Sequence, residues 1–424
     1  MNTAILRALG FVLAATAVGL AAGQSLPLLP GPLPTVYPEI LELPEDQFPR
    51  RFWFGVGTDF GRDGNVFRLQ KSDSTATVGA TGRPNSSWIY RLYAQANMDL
   101  RVDRQRFLVQ ASVSDYTFSG LSYLDYTAPE FRGAWSWQAG DALQGELRYE
   151  HLRVLTDFID TRPVIQNLRN LDYGLATAQL AVTPRWRLTG GVIAYRATNS
   201  DVGFQAANTT QTTEEAGVRY VLTGAGYVGL VGAYSQGKYP DRVPTPQFDD
   251  QYTQTDFGAE VLYGVTDVSY LRGRIAYTSR EYPVVTARNF NGLTGRIDFL
   301  WAISPKTGID FLARREPAVF EDPTTSYYVT TALGVTPHWD IAPKLRLEGS
   351  YQHWWRRYLG DPFATLAGLP QREDQLDFLG VSLKWIPSPN WLLRAGWVRS
   401  KRDSNQPVLD FTDDVVFGTV QFGF

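Results

Sequence analysis

Arg272, Arg274, Arg296, Arg314, Arg346 and Arg356, together with Trp354, are the residues of this sequence best suited by type and spacing to binding chemistry. They recur at alternating positions between residues 267 and 357, where Asp298, Asp310, Glu316 and Glu348 join them. A guanidinium is planar and presents a fork of donors, so it stacks on rings and bridges paired oxygens. An indole adds a flat apolar face of the kind that stacks on a pyranose ring. Stacking combined with exchangeable hydrogen bonds binds weakly at many points, which conduction through a pore requires. Arg148, Arg394, Glu146, Glu150 and Tyr195 extend the same set. The bland alternative is a polar ladder that satisfies itself in a wet cavity, and residue type alone does not separate the two.

Other chemistries find little support. His151, His338 and His353 are the only histidines, and none has a neighbour at metal-ligand spacing. His338 falls near a short turn and the other two near the opposite strand ends, which suits interface positions. No spacing points to a Ser-His-carboxylate site. Cysteine is absent, which excludes disulfides and thiolate metal sites. The net charge of −3 leaves no basic footprint for nucleic acid. The sequence therefore predicts no enzyme, no cofactor and no metal.

The arginines need strands to carry them, because only a period of two puts them all on one face. In Lys344–Arg356, Leu345, Leu347, Gly349, Tyr351, His353 and Trp355 share one face. Arg346, Glu348, Ser350, Gln352, Trp354 and Arg356 share the other. Leu293, Gly295, Ile297, Phe299, Trp301 and Ile303 oppose Arg296 and Asp298 in the same way, and Leu143, Leu147 and Tyr149 oppose Glu146, Arg148 and Glu150. A soluble sandwich tolerates few charges in its core. So many apolar faces, with no second layer to cover them, suit lipid.

Tight turns and long loops alternate along the chain from Arg51. The turns are Ala139-Gly140-Asp141, Thr183-Pro184-Arg185, Thr223-Gly224-Ala225, Ser304-Pro305-Lys306, Ala342-Pro343-Lys344 and Ser388-Pro389-Asn390. Long polar loops fall near 157–170, 198–211, 238–251, 283–291, 317–325, 357–375 and 403–411. Outer-membrane barrels show this asymmetry, with short turns in the periplasm. Trp135, Trp137, Trp186, Trp301, Trp339, Trp385 and Trp391 lie within about four residues of a short turn, where an interfacial girdle is expected. Counting passes gives 18 strands over 51–424, with 16 left open by segments such as Thr75–Ala80. The predicted fold is all-β: a transmembrane antiparallel up-and-down barrel, wide enough at 18 strands for an aqueous channel.

The two ends agree. Residues 1–23 read as a secretory signal, with Arg7, an apolar run from Ala8 to Ala22, and small residues that put cleavage between Gly23 and Gln24. Residues 24–50 carry Pro27, Pro30, Pro32, Pro34, Pro38, Pro44 and Pro49, and predict an extended periplasmic segment. At the other end, Val416, Gly418, Val420, Phe422 and Phe424 share one strand face, and the chain stops on an aromatic. This arrangement resembles the C-terminal signal of bacterial outer-membrane barrels, in which the assembly machinery reads the last strand. Phe422 and Phe424 are its candidate residues.

The segment Leu155-Thr156-Asp157-Phe158, the run Arg288-Asn289-Phe290-Asn291-Gly292-Leu293-Thr294-Gly295, and Lys306 after Trp301 are similar to the EpsL-type outer-membrane proteins of exopolysaccharide gene clusters. That family usually has Asp-Phe-Ser-Gly where this chain has Asn289-Phe290-Asn291-Gly292. The resemblance covers nearly the whole mature chain and carries no catalytic residue across. It implies a part in exopolysaccharide biosynthesis and export through the outer membrane, with a periplasmic polysaccharide-export partner and a secreted polysaccharide. Barrel physics equally supports a general or substrate-selective diffusion porin for small solutes.

Overall fold

A computed structural model describes residues 51–70, 85–159, 164–222, 226–246, 248–266, 268–319, 327–359 and 370–424. The expected signal segment with Gly23 and Gln24, the Pro-rich segment 24–50, Thr75–Ala80 and the turn Thr223-Gly224-Ala225 lie outside these residues. No helix among the described residues is long and apolar enough to cross a membrane.

Eighteen strands account for the fold. The first nine are β1 Phe52–Asp63, β2 Ser87–Val102, β3 Gln105–Phe118, β4 Tyr126–Ala139, β5 Leu143–Leu155, β6 Leu168–Ala181, β7 Trp186–Asn199, β8 Thr209–Val221 and β9 Tyr227–Lys238. The rest are β10 Gln251–Gly264, β11 Tyr270–Glu281, β12 Phe290–Ser304, β13 Thr307–Val319, β14 Tyr327–Ala342, β15 Leu345–Leu359, β16 Glu373–Ser388, β17 Trp391–Ser404 and β18 Phe411–Gly423. Each strand pairs antiparallel with the next, and β1 pairs with both β2 and β18. The sheet is closed, so no edge is left to pair with another chain.

Register follows from the side-chain pattern, since a slip of one residue would turn every strand inside out. Outward columns are apolar and exposed: Phe52, Phe54, Val56 and Phe60 on β1, and Leu143, Leu147 and Tyr149 on β5. Trp135, Trp186, Trp301, Trp339, Trp385 and Trp391 all face outward near the short turns and are exposed. They form the lower girdle that the sequence predicts, in which the seventh expected member, Trp137, is half-buried. At Gly140 the backbone takes φ +62°, a left-handed conformation that glycine adopts without strain. An apolar exterior of this kind, closed and girdled by tryptophan, makes the chain an integral outer-membrane protein.

Several strands run longer than the alternation predicts. β6 begins at Leu168 and β8 at Thr209, each three residues before the strand start expected from the sequence, 171 and 212. Above the lipid the outward positions turn polar, as Asn170 and Thr210 do, while the hydrogen-bonded ladder continues. Hydropathy therefore marks the lipid band and not the strand end.

The last strand closes the barrel. Phe424 N–H donates to the Phe54 carbonyl at 2.8 Å, and Phe54 N–H donates to the Phe424 carbonyl at 3.1 Å. The Phe54 and Phe424 rings stack at 6.0 Å, and Phe422 meets Trp391 at 4.9 Å. Higher on the seam, Phe60 lies opposite Gly418, where a β-carbon would come within 2.5 Å of its ring. The glycine leaves room for the phenyl to cover the seam.

Candidate functional site

The inner face is where the polar residues converge. Arg274, Arg296 and Arg314 are direct neighbours on β11, β12 and β13, so three guanidiniums stand in one register row. Like charges placed side by side repel, and each has its own carboxylate. Arg274 meets Glu215 at 2.5 Å, Arg296 meets Asp298 at 2.8 Å and Arg314 meets Glu316 at 3.3 Å. Arg219–Glu260 at 2.5 Å, Arg346–Asp340 at 2.6 Å and Arg148–Glu146 at 2.5 Å continue the pattern around the wall. These are charge-assisted pairs that order the side chains along the wall; Arg274 and Arg296 are partly exposed, whereas Arg314 and Arg148 are buried.

The lumen is not an open cylinder. After β5 the chain turns inward, and Phe158 packs edge-on against Phe67 at 5.0 Å. Ile159, 4% exposed, is buried against Ala332, Trp354, Leu376 and Phe411 on the far wall, formed by β14, β15, β16 and β18. Arg402 on β17 donates from Nη1 to the Ile159 carbonyl, and Asp157 Oδ1 accepts from Ile159 N–H at 3.0 Å. The segment 156–159 therefore crosses the interior. A second layer thickens it: Val66, Phe67, Leu121 and Leu124 from the first two outer loops pack with Ile89, Tyr116, Phe118, Val415 and Phe417 of the wall.

A buried ion pair anchors the first of these loops. Arg68 bonds Asp63 at 3.0 Å and Asp413 at 2.9 Å, with all three side chains almost fully buried. Burial works against the guanidinium's charge, but Asp63, Asp413 and Asp157 outweigh it and raise its pKa above the ordinary arginine value. Asn65 adds a second tie, donating to the Leu69 carbonyl at 2.8 Å and the Thr412 carbonyl at 3.0 Å.

All seven candidate lumen residues face inward, but they divide into two groups. Arg272, Arg274, Arg296 and Arg346 are partly exposed to the lumen. Arg314, Arg356 and Trp354 are buried, at 7%, 6% and 7% exposure. The Trp354 ring has Arg314 at 4.6 Å and Arg356 at 5.1 Å, with Phe378 at 4.7 Å and Ile159 packed beside it. Its faces are occupied by the protein itself. Among the described residues no group of three or more His, Asp or Glu side chains is placed to hold a metal.

Two features have sequence signals that alternation does not reveal. The crossing segment begins at Leu155-Thr156-Asp157-Phe158, an apolar and acidic run just where a loop should be uniformly polar. The second is a pair of histidine–aspartate contacts on the outer face, whose signal is a repeated Tyr-x-His followed in the next strand by Leu-Asp.

No protein-family model matches the chain, and no curated protein matches it. The resemblance to exopolysaccharide proteins thus gains no support from either. Solved structures do resemble it. Pseudomonas aeruginosa OpdK with vanillate shares 10% identity over 88% of this chain and 99% of its own, with a TM-score of 0.48. Pseudomonas aeruginosa OccK2 (OpdF) in complex with glucuronate shares 12% over 88% and 97%, with a TM-score of 0.47. A BenF-like porin from Pseudomonas fluorescens Pf-5 shares 11% over 88% and 98%, also at 0.47.

Proposed function

We propose that the barrel is a selective diffusion channel for small anionic solutes. The observation that carries this reading is the crossing segment 156–159, fixed to the opposite wall through Ile159 and Arg402. It narrows the interior to a route beside β8–β13, where the row Arg274, Arg296 and Arg314 stands. A solute carboxylate can replace Glu215 or Asp298 on the partly exposed Arg274 and Arg296 and be replaced in turn, while the buried Arg314 adds its charge from behind. Exchange of like for like keeps each site shallow, which passage requires. Export of a polysaccharide, the function implied by the EpsL-type resemblance, needs a wider path or displacement of the segment, so the small-solute reading is preferred.

Reconstitution tests it. In a salt gradient across a planar bilayer, the reversal potential should show anion preference. In liposome swelling, a small monocarboxylate should enter faster than a neutral solute of the same size. Cation preference, or free passage of a large oligosaccharide, would overturn the proposal. Accumulation of periplasmic polymer in a deletion strain, with solute uptake unchanged, would favour export.

A further inference from the structure

The outer face carries one arrangement twice. On β5 and β6, Tyr149 donates to Asp172 Oδ1 at 2.7 Å, and His151 Nδ1 lies 2.9 Å from the same oxygen. On β15 and β16, Tyr351 donates to Asp377 Oδ1 at 2.7 Å, and His353 Nδ1 lies 2.7 Å from it. The next strand supplies a cation in register each time: Arg196 opposite Asp172 on β7, and Lys401 opposite Asp377 on β17. The two rows begin on β5 and β15 of an 18-stranded barrel, close to diametrically apart.

Position gives the rows their meaning. Each lies where the outward columns change from apolar to polar. On β16 Trp385, Leu383, Val381 and Leu379 precede Asp377, and Gln375 follows. On β7 Leu188, Gly190, Val192 and Ala194 precede Arg196, and Thr198 follows. This is the level at which the acyl chains of the outer leaflet meet their headgroups. The requirements of a lipid-facing strand explain the tyrosine here, but not a histidine, a carboxylate and a cation in register. Arg196 is exposed and makes no ion pair among the described residues, and Nε2 of each histidine makes no hydrogen bond among them. Lys401 pairs with Asp403 at 2.6 Å in an exposed contact, the kind worth little when a better partner arrives.

We infer that each row is a docking site for the phosphorylated sugar headgroup of an outer-leaflet glycolipid. The cation takes the phosphate, while Asp and the outward nitrogen of His take sugar hydroxyls. Tyr149 and Tyr351 hold the carboxylates from below, with their rings against the acyl boundary. Position favours this occupant: each cation has a carboxylate of the chain beside it, so the row as a whole is not basic, but a cation at the rim of an apolar belt is the group that meets anionic headgroups first.

Native mass spectrometry of the full barrel loaded with purified bis-phosphorylated lipid A tests the inference. The wild-type barrel should retain two lipids. R196Q and K401Q should each retain one, and the double variant none, with R196K and K401R restoring retention. Dephosphorylated lipid A should not be retained. Heat-modifiable migration and unchanged conductance would show that each variant is folded. Two lipids on the folded double variant, fewer than two on the wild type, or equal retention of dephosphorylated lipid would overturn the inference.

Discussion

Arg402 and Ile159 are joined across the interior of the barrel. The guanidinium on β17 donates to the carbonyl of a loop residue that follows β5, and the Ile159 side chain is buried between Trp354, Leu376 and Phe411. A loop that enters a wet lumen must satisfy its carbonyls and bury its apolar side chains, and this one does both at the far wall. Replacing Arg402 by Ala removes a charged donor and leaves a buried carbonyl unpaired, a loss of about 1.5–3 kcal/mol. The segment should then leave the wall for part of the time. Single-channel recordings of R402A should show higher or fluctuating conductance, and a steady wild-type current would mean the segment is held by other contacts.

The row of arginines should set ion preference. Changing Arg274, Arg296 and Arg314 together to Gln removes three cations and leaves Glu215, Asp298 and Glu316 in place. The reversal potential should move from the anion side through zero to the cation side, while the barrel remains heat-modifiable. Arg346→Gln, lower on the wall and paired with Asp340, should shift it less. An unchanged potential in the triple variant would leave these residues as a structural ladder.

Much of this was legible beforehand. The period of two showed which residues face in, the Gly and Pro turns gave 18 strands with 16 still open, a choice the closed sheet decides for 18, and Trp385 and Trp391 marked the lower interface. The interior was less legible, because period and hydropathy report on walls and say nothing about what loops do above them. Trp354 reads from sequence as an open stacking surface. In the fold it lies under Ile159 with arginines on its faces. The histidines look alike in sequence, yet His338 faces inward opposite Glu348 while His151 and His353 face out. Strand parity tells them apart: His353 shares the apolar face with Tyr351 and Trp355, and His338 alternates with the outward Trp339.

The Arg68 ion pairs should be needed for the first loop to fold inward. Removing one partner of a buried pair leaves an uncompensated charge, at a cost of about 3–5 kcal/mol. Arg68→Ala would strand Asp63 and Asp413 in the same pocket. The variant should become sensitive to proteolysis in the outer loops of whole cells and lose strand pairing at lower temperature. R68A combined with D63N and D413N should recover part of the loss, since no buried charge then remains unpaired. A single variant as resistant as wild type would show that Val66 and Phe67 hold the loop unaided.

The seam yields the last prediction. Removing Phe424 takes away two backbone hydrogen bonds to Phe54 and a ring stack, the stack alone being worth about 0.5–1.5 kcal/mol. That loss falls at the step where the last strand meets the first, so it should slow closure more than it destabilises the finished barrel. Gly418→Val attacks the same seam from the lipid side, because its β-carbon would stand where Phe60 now lies. Both variants should therefore show less heat-modifiable barrel in outer-membrane fractions, while the fraction that closes should unfold near the wild-type temperature. Full yield of barrel lacking Phe424 would mean that closure is decided elsewhere along β18, for instance at the pairs Asp59–Thr419 and Gly61–Phe417.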